Sequence, residues 1–192
     1  MKAIVNTKLI TEEGIIWDGA VTYENGRIVS SGWAKDVEIP EGSEIIDAGG
    51  KYTAPGLIDI HNHGGNGYWF HKEPIKACEH FLKHGQTTVL PTLYFNLDYD
   101  QTITGIDKVR EASKQGGAGK IIGGLYMEGP YMNPELGSDN KNLKWKGKID
   151  MDEARGVVDC AGDFVRVWCV DPAREGIEEF VKYAKSINPE VV

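Results

Sequence analysis

Cysteine, positive charge and long apolar stretches are all scarce in this chain of 192 residues. The three cysteines, Cys78, Cys160 and Cys169, are far apart and form no CxxC pair, which argues against a disulfide framework and against a thiolate zinc cluster. Each sits beside an apolar residue (Ala77, Val158, Trp168), the setting of a small buried thiol. No apolar run approaches the length that spans a bilayer. The opening "MKAIVNTKLITEEG" is broken by polar residues before a signal-peptide apolar region can form, so a cytoplasmic protein without membrane contact is expected. Lys and Arg number 21 against 29 Asp and Glu, a formal net charge of -8. That balance argues against nucleic acid, whose phosphates need a clustered basic patch. The nearest candidate, "NKNLKWKGK" at 140–148, is short and reads as a solvated loop. What remains, 41% hydrophobic and 26% charged residues, is the profile of a folded soluble chain.

The first fifty residues carry β-branched side chains in partial alternation, in "AIVNTKLIT", "AVTYENGRIVSSG" and "SEIIDAGGKY", with Asn25-Gly26 as a hairpin turn. This predicts a small β module over residues 1–52 with too little apolar content to stand alone. From Thr53 strands alternate with amphipathic helices. "APGLIDIH" reads as a buried strand, Glu73 to His84 as a helix, "TTVLPTLYF" as a strand and Tyr99 to Lys114 as a helix. "KIIGGLYMEG" is the next strand, Asp150 or Asp152 caps a helix running to Cys160, and "FVRVWCVD" precedes a helix from Arg174 to Ser186. "PEVV" begins a fifth strand. Apolar strands alternating with helices indicate a parallel α/β architecture over 53–192. Neither "GGNGYWF", with Phe70 where a third glycine belongs, nor "GGAGKI", with Ile121 where Ser or Thr belongs, is a phosphate-binding loop. A (β/α)8 barrel is therefore preferred to a doubly wound sheet.

Polar residues cluster where the strands end. His61 and His63 follow the apolar Leu57, Ile58 and Ile60 and, at period two, project to the same side. They are either ligands for Zn²⁺ or a similar cation at the carboxyl edge of a barrel, or two polar residues closing a strand. Glu128 ends the third strand in "LYMEGPYMNP", as a ligand or as a turn residue. A lone carboxylate is costly to bury, and two histidines from one strand with a carboxylate from another converge best on a cation.

"APGLIDIHNHG" followed by "YMEGPYMNPE", with "NGRIVSSG" and "EIIDAGGKYTAPGLID" before them, resembles the amidohydrolase superfamily, in particular its N-acetylglucosamine-6-phosphate deacetylase branch. The resemblance spans nearly the whole chain. It implies part of a small β-sandwich (1–52) followed by about the first half of a (β/α)8 TIM-type barrel (53–192). It implies His61, His63 and Glu128 as ligands of one or two divalent ions, Zn²⁺ first among them. The implied reaction is hydrolysis of an N-acetyl amide on an amino sugar phosphate by metal-activated water, with an aspartate carrying the proton.

The chain departs from that pattern in two places. A complete barrel takes about 250 residues, and the family's further histidines and catalytic aspartate are expected beyond Val192, so the chain is expected to be an incomplete fragment, inactive alone. An open half-barrel also leaves an unpaired strand edge, which predicts a homo-oligomer or a non-catalytic, self-associating half-barrel. The loop after Glu128, "PELGSDNKN", places Ser138 and Asp139 where the family carries a basic segment near its substrate. An acidic residue there disfavours a phosphate and admits another amide, cyclic or an N-acyl amino acid; a solvated loop touching no ligand is the other reading. His71, His80 and His84 read as surface residues, although His80 and His84 share a helix face. Trp69 and Phe70 either line a pocket entrance or pack.

Overall fold

The computed structural model describes residues 1–137 and 139–192, which divide into two compact units, Met1–Pro55 and Gly56–Val192. The first is a five-stranded sheet of β1 (Lys2–Thr11), β2 (Gly14–Glu24), β3 (Arg27–Trp33), β4 (Glu44–Asp47) and β5 (Tyr52–Thr53). Strands β1 to β3 form an antiparallel meander, and β4 and β5 run parallel to β1. Asn25 (φ 52°) and Gly26 (φ 76°) form the expected two-residue turn, with Glu24 opposite Arg27. Buried Thr7 fastens β5 to β1, donating to the Lys51 carbonyl (2.9 Å) beside the Thr53 hydroxyl (2.7 Å).

The second unit is mixed α/β around a parallel sheet. Its elements are β6 (Leu57–Asn62), the short hairpin β7 (Gly64–Gly65) and β8 (Tyr68–Trp69), α1 (Pro74–Lys83), β9 (Gln86–Leu93), α2 (Tyr99–Lys114), β10 (Leu125–Glu128), α3 (Met151–Ala161), β11 (Val165–Cys169) and α4 (Ile177–Ile187). The sheet runs β11-β10-β9-β6, in sequence order and without the reversal of a doubly wound sheet. Local chemistry sets the helix ends. Pro74 opens α1 where no backbone N–H is needed. Asp98 and Gln101 close a capping box on α2, and Asp150 caps α3. Gly105 inside α2 gives close packing, since a Cβ there would lie 3.2 Å from both His71 and Leu93. Val89 and Leu93 of β9, Leu125 and Met127 of β10 and Val165 of β11 form the core with Ala77, Phe81, Ile106, Val109 and Val157.

Five expectations are revised. "APGLIDIH" is a strand but not a buried one: Leu57, Ile58 and Ile60 are 60%, 70% and 57% exposed. The cause is position, because β6 lies at the sheet edge and pairs with β9 alone among the described residues. The strand drawn from Lys120 is confined to Leu125–Glu128, since a 3-10 turn occupies Gly117–Ile121 and Gly124 takes φ 139°. The basic stretch 140–148 is anchored, not simply solvated: Leu143 is buried and Trp145 donates its indole N–H to the Leu97 carbonyl (2.8 Å). Among the thiols only Cys78 is buried, and burial pushes it up to about 12; Cys160 and Cys169 are half-buried. The terminal "PEVV" joins no named strand, yet Val192 exchanges backbone hydrogen bonds with Arg166 (3.0 Å) and Trp168 (2.8 Å) along β11. No described helix is long and apolar enough to cross a membrane.

Leu125→Ala removes a fully buried side chain from the middle of this sheet and is expected to destabilise the second unit by about 2–5 kcal/mol. Asp98→Ala, losing only the α2 cap, is expected to cost about 1 kcal/mol. Urea denaturation checks the pair, and equal losses contradict this assignment of the core.

Candidate metal centre

The carboxyl end of the parallel sheet carries the chemistry. His61 lies on β6, His63 one residue past it, and Glu128 ends β10. Strand β9 lies between and holds the histidine segment through one residue, the buried Thr92. Its hydroxyl accepts the Asn62 backbone N–H (3.0 Å), and its carbonyl receives His63 Nδ1 (3.2 Å). Asp59 accepts the His61 backbone N–H (3.1 Å). After His63 the chain turns sharply: Gly64 sits at φ 144°, and a Cβ there would fall 2.0 Å from the Tyr68 carbonyl oxygen. The β7–β8 hairpin brings Trp69 back, its ring 6.2 Å from that of His63.

His61 Nε2 lies 3.9 Å from Glu128 Oε1, and His63 Nε2 lies 3.3 Å from Glu128 Oε2. One ligand atom from each residue falls within 4.8 Å of the others. The Thr92 carbonyl fixes the His63 tautomer by taking the Nδ1 proton, leaving the Nε2 lone pair facing the carboxylate. Two electron-rich atoms then confront each other, and Glu128 Oε2 is buried without a hydrogen-bond partner among the described residues. This donor set fits a divalent cation of borderline softness, which would satisfy the carboxylate and both imidazoles together.

Aromatic rings wall the centre. Tyr126 packs against His61 (4.5 Å between rings) and Tyr94 edges against His63 (4.7 Å). Burial, with the Cys169 thiol beside it, pushes the Tyr126 phenol up to about 12, so it stays protonated. Asp139 reaches the same wall: its carboxylate accepts from Tyr94 Oη (3.4 Å) and from Asn142 Nδ2 (2.6 Å). Ser138 lies outside the described residues. His71, His80 and His84 are not part of the cluster; the His80 and His84 rings pair with each other at 4.4 Å. Phe70 is buried against Phe81, whereas Trp69 is exposed, so the two adjacent aromatics have different roles. Thr92 escaped sequence reasoning, because a threonine thirty residues from its partners carries no local signal.

No protein-family model matches the chain. An N-acetylgalactosamine-6-phosphate deacetylase of Escherichia coli O157:H7 is 23% identical over 189 residues, 96% of this chain and 48% of that protein. The solved N-acetyl-D-glucosamine-6-phosphate deacetylase of Mycobacterium smegmatis superposes with a TM-score of 0.76 at 22% identity, over 100% of this chain and 53% of its own. A mutant of that enzyme in complex with N-acetyl-D-glucosamine-6-phosphate gives 0.74 at 21% identity, covering 100% and 48%. The resemblance read from the sequence thus holds: its homologues and structural neighbours include amino sugar phosphate deacetylases, and the chain spans about half the length of these.

His71, behind Trp69, is held below the ordinary imidazole value of 6.5 by burial first, then by the Lys72 and Lys108 charges and by His63. The unfolded chain therefore binds a proton that the folded chain refuses. This group's contribution to stability is complete above pH 6.5 and is lost as the pH falls through the lower folded value. The His71 Cε1 proton resonance is expected to titrate with a midpoint below 6.5 that rises in Lys108→Gln; a midpoint at or above 6.5 contradicts this placement.

Proposed function

We propose that the second unit is the first part of a (β/α)8 hydrolase barrel, that the first unit is part of its companion β-sandwich, and that His61, His63 and Glu128 hold a divalent ion, Zn²⁺ foremost, as one ion or as part of a two-ion site. The activity so served is hydrolysis of the N-acetyl group of an amino sugar phosphate, the class to which the relatives' names point. One observation carries the reading: the Glu128 carboxylate faces His61 and His63, and its buried Oε2 has no hydrogen bond among the described residues.

A cation at this position supplies Lewis-acid polarisation of an amide carbonyl and a water acidic enough to attack near neutral pH. The chain's own residues do the positioning. Thr92 holds His63 in one tautomer through its carbonyl and ties the histidine segment to β9 through its hydroxyl. Tyr126 packs against His61, and Tyr94 and Trp69 pack against His63, which holds the two imidazoles in place. Glu128, committed as a ligand, is not available as the proton carrier. The aspartate that the resemblance implies has no position within residues 1–192, so the chain alone is proposed to bind metal without turning over substrate.

A second reading, a self-associating half-barrel without catalysis, draws support from the β6 edge, where Leu57, Ile58 and Ile60 are exposed. Titration against a chromogenic chelator separates metal binding from a merely polar strand end. His63→Gln and Glu128→Gln are each expected to weaken Zn²⁺ binding by about tenfold or more, while a His80→Gln/His84→Gln double variant leaves it unchanged. The reverse pattern contradicts the proposed ligands. Acetate release from N-acetylglucosamine 6-phosphate by the zinc-loaded chain alone would overturn the proposal that it does not turn over.

A further inference from the structure

The histidines and the carboxylate of the centre are held in different ways. The Thr92 carbonyl takes the His63 Nδ1 proton and Asp59 accepts the His61 backbone N–H, but Glu128 Oε2 has no hydrogen bond among the described residues. Its place is therefore set by the backbone that carries it. The ladder between β10 and β11 ends at the pair Glu128–Cys169, yet the two segments stay joined beyond it. The Gly129 N–H donates to the Cys169 carbonyl (2.9 Å), the Asp171 N–H to the Tyr131 carbonyl (2.9 Å) and Arg174 Nη1 to the Met132 carbonyl (2.8 Å). Arg174 Nη2 also donates to the Trp145 (2.9 Å) and Gly147 (2.6 Å) carbonyls, where the segment that left Glu128 returns toward α3. One guanidinium thus clasps both ends of residues 129–150, a connection that among its described residues has only the 3-10 turn Asn140–Asn142 of its own. The same guanidinium lies over the ring of Tyr131 (5.8 Å to the centroid), which is buried against Phe180.

We propose, on the reading of His61, His63 and Glu128 as ligands, that Arg174 is a positioning residue of the metal centre: by clasping residues 129–132 to the turn after β11 it fixes the Glu128 carboxylate opposite the imidazoles. Lysine cannot take its place, because one ammonium has no planar fork to span carbonyls from two separate stretches. Charge and position predict opposite signs for its removal. By Coulomb's law alone, losing a positive charge from this unit tightens the binding of a metal ion. Losing position weakens it, as the loss of an outer-shell partner does.

Two measurements on the full chain test this. In the metal-free protein, hydrogen exchange at the Gly129 and Asp171 amides is expected to quicken about tenfold or more in Arg174→Gln and in Arg174→Lys, with the amides of α1 unchanged. Zn²⁺ affinity, read against a chromogenic chelator, is expected to fall about tenfold or more in both variants, and the d–d absorption of bound Co²⁺ to shift with it. Asn140→Ala, which cuts a bond to the Glu135 carbonyl (2.8 Å) in the middle of the same segment, is expected to change neither. Circular dichroism establishes that each variant is folded. Failure of the unaltered chain to take up Zn²⁺ overturns the ligand reading and the proposal with it. Uptake by the unaltered chain with affinity equal or tighter in Arg174→Gln, exchange unchanged in that variant, or an equal loss in Asn140→Ala, overturns the proposal alone.

Discussion

A half-buried carboxylate with one oxygen withdrawn from water, turned toward two imidazoles, is the constraint around which the second unit is arranged. Burying such a group without compensation costs several kcal/mol, yet among the described residues Glu128 Oε2 has no hydrogen-bond partner, and His63 Nε2 faces it at 3.3 Å. The tautomer of His63 is imposed from the far side by the Thr92 carbonyl, so the imidazole has no proton to offer without taking on charge. A cation resolves the conflict. Two histidines on one strand and a carboxylate two strands away in the sheet are what a divalent ion of borderline softness accepts.

That arrangement explains why the sheet is built as it is. Parallel strands in sequence order bring their carboxyl ends to one edge, so β6, β9 and β10 deliver His63, Thr92 and Glu128 to the same place. Gly64 admits the Tyr68 carbonyl where a Cβ would block it, and the turn at Asn66-Gly67 returns Trp69 to flank His63. On the other side Arg174 ties down the long segment after Glu128, donating to the carbonyls of Met132 (2.8 Å), Trp145 (2.9 Å) and Gly147 (2.6 Å). Asp139 meets Tyr94 within that segment, so the loop that departs from the family pattern still reaches the wall of the centre.

Periodicity and strand-end position made much of this legible. The HxH spacing, the apolar run before Glu128 and the alternation of strands and helices each depend on residues close in sequence. The α2 boundaries and the Asn25-Gly26 turn were readable for the same reason: capping and left-handed turn chemistry are local. What could not be read depends on distant partners. Thr92 and Arg174 act through hydrogen bonds to residues about thirty to forty positions away. The exposure of Ile58 and Ile60 follows from the sheet-edge position of β6, which no hydrophobicity pattern specifies.

X-ray absorption at the zinc edge of the chain loaded with one equivalent of Zn²⁺ tests the central claim most directly. Nitrogen and oxygen ligands at about 2.0–2.2 Å, with the outer-shell scattering of imidazole rings and no sulfur, are the result expected of His61, His63 and Glu128. A zinc–sulfur shell at about 2.3 Å would place the ion on the cysteines instead, and would contradict the account of why Glu128 Oε2 lies against His63.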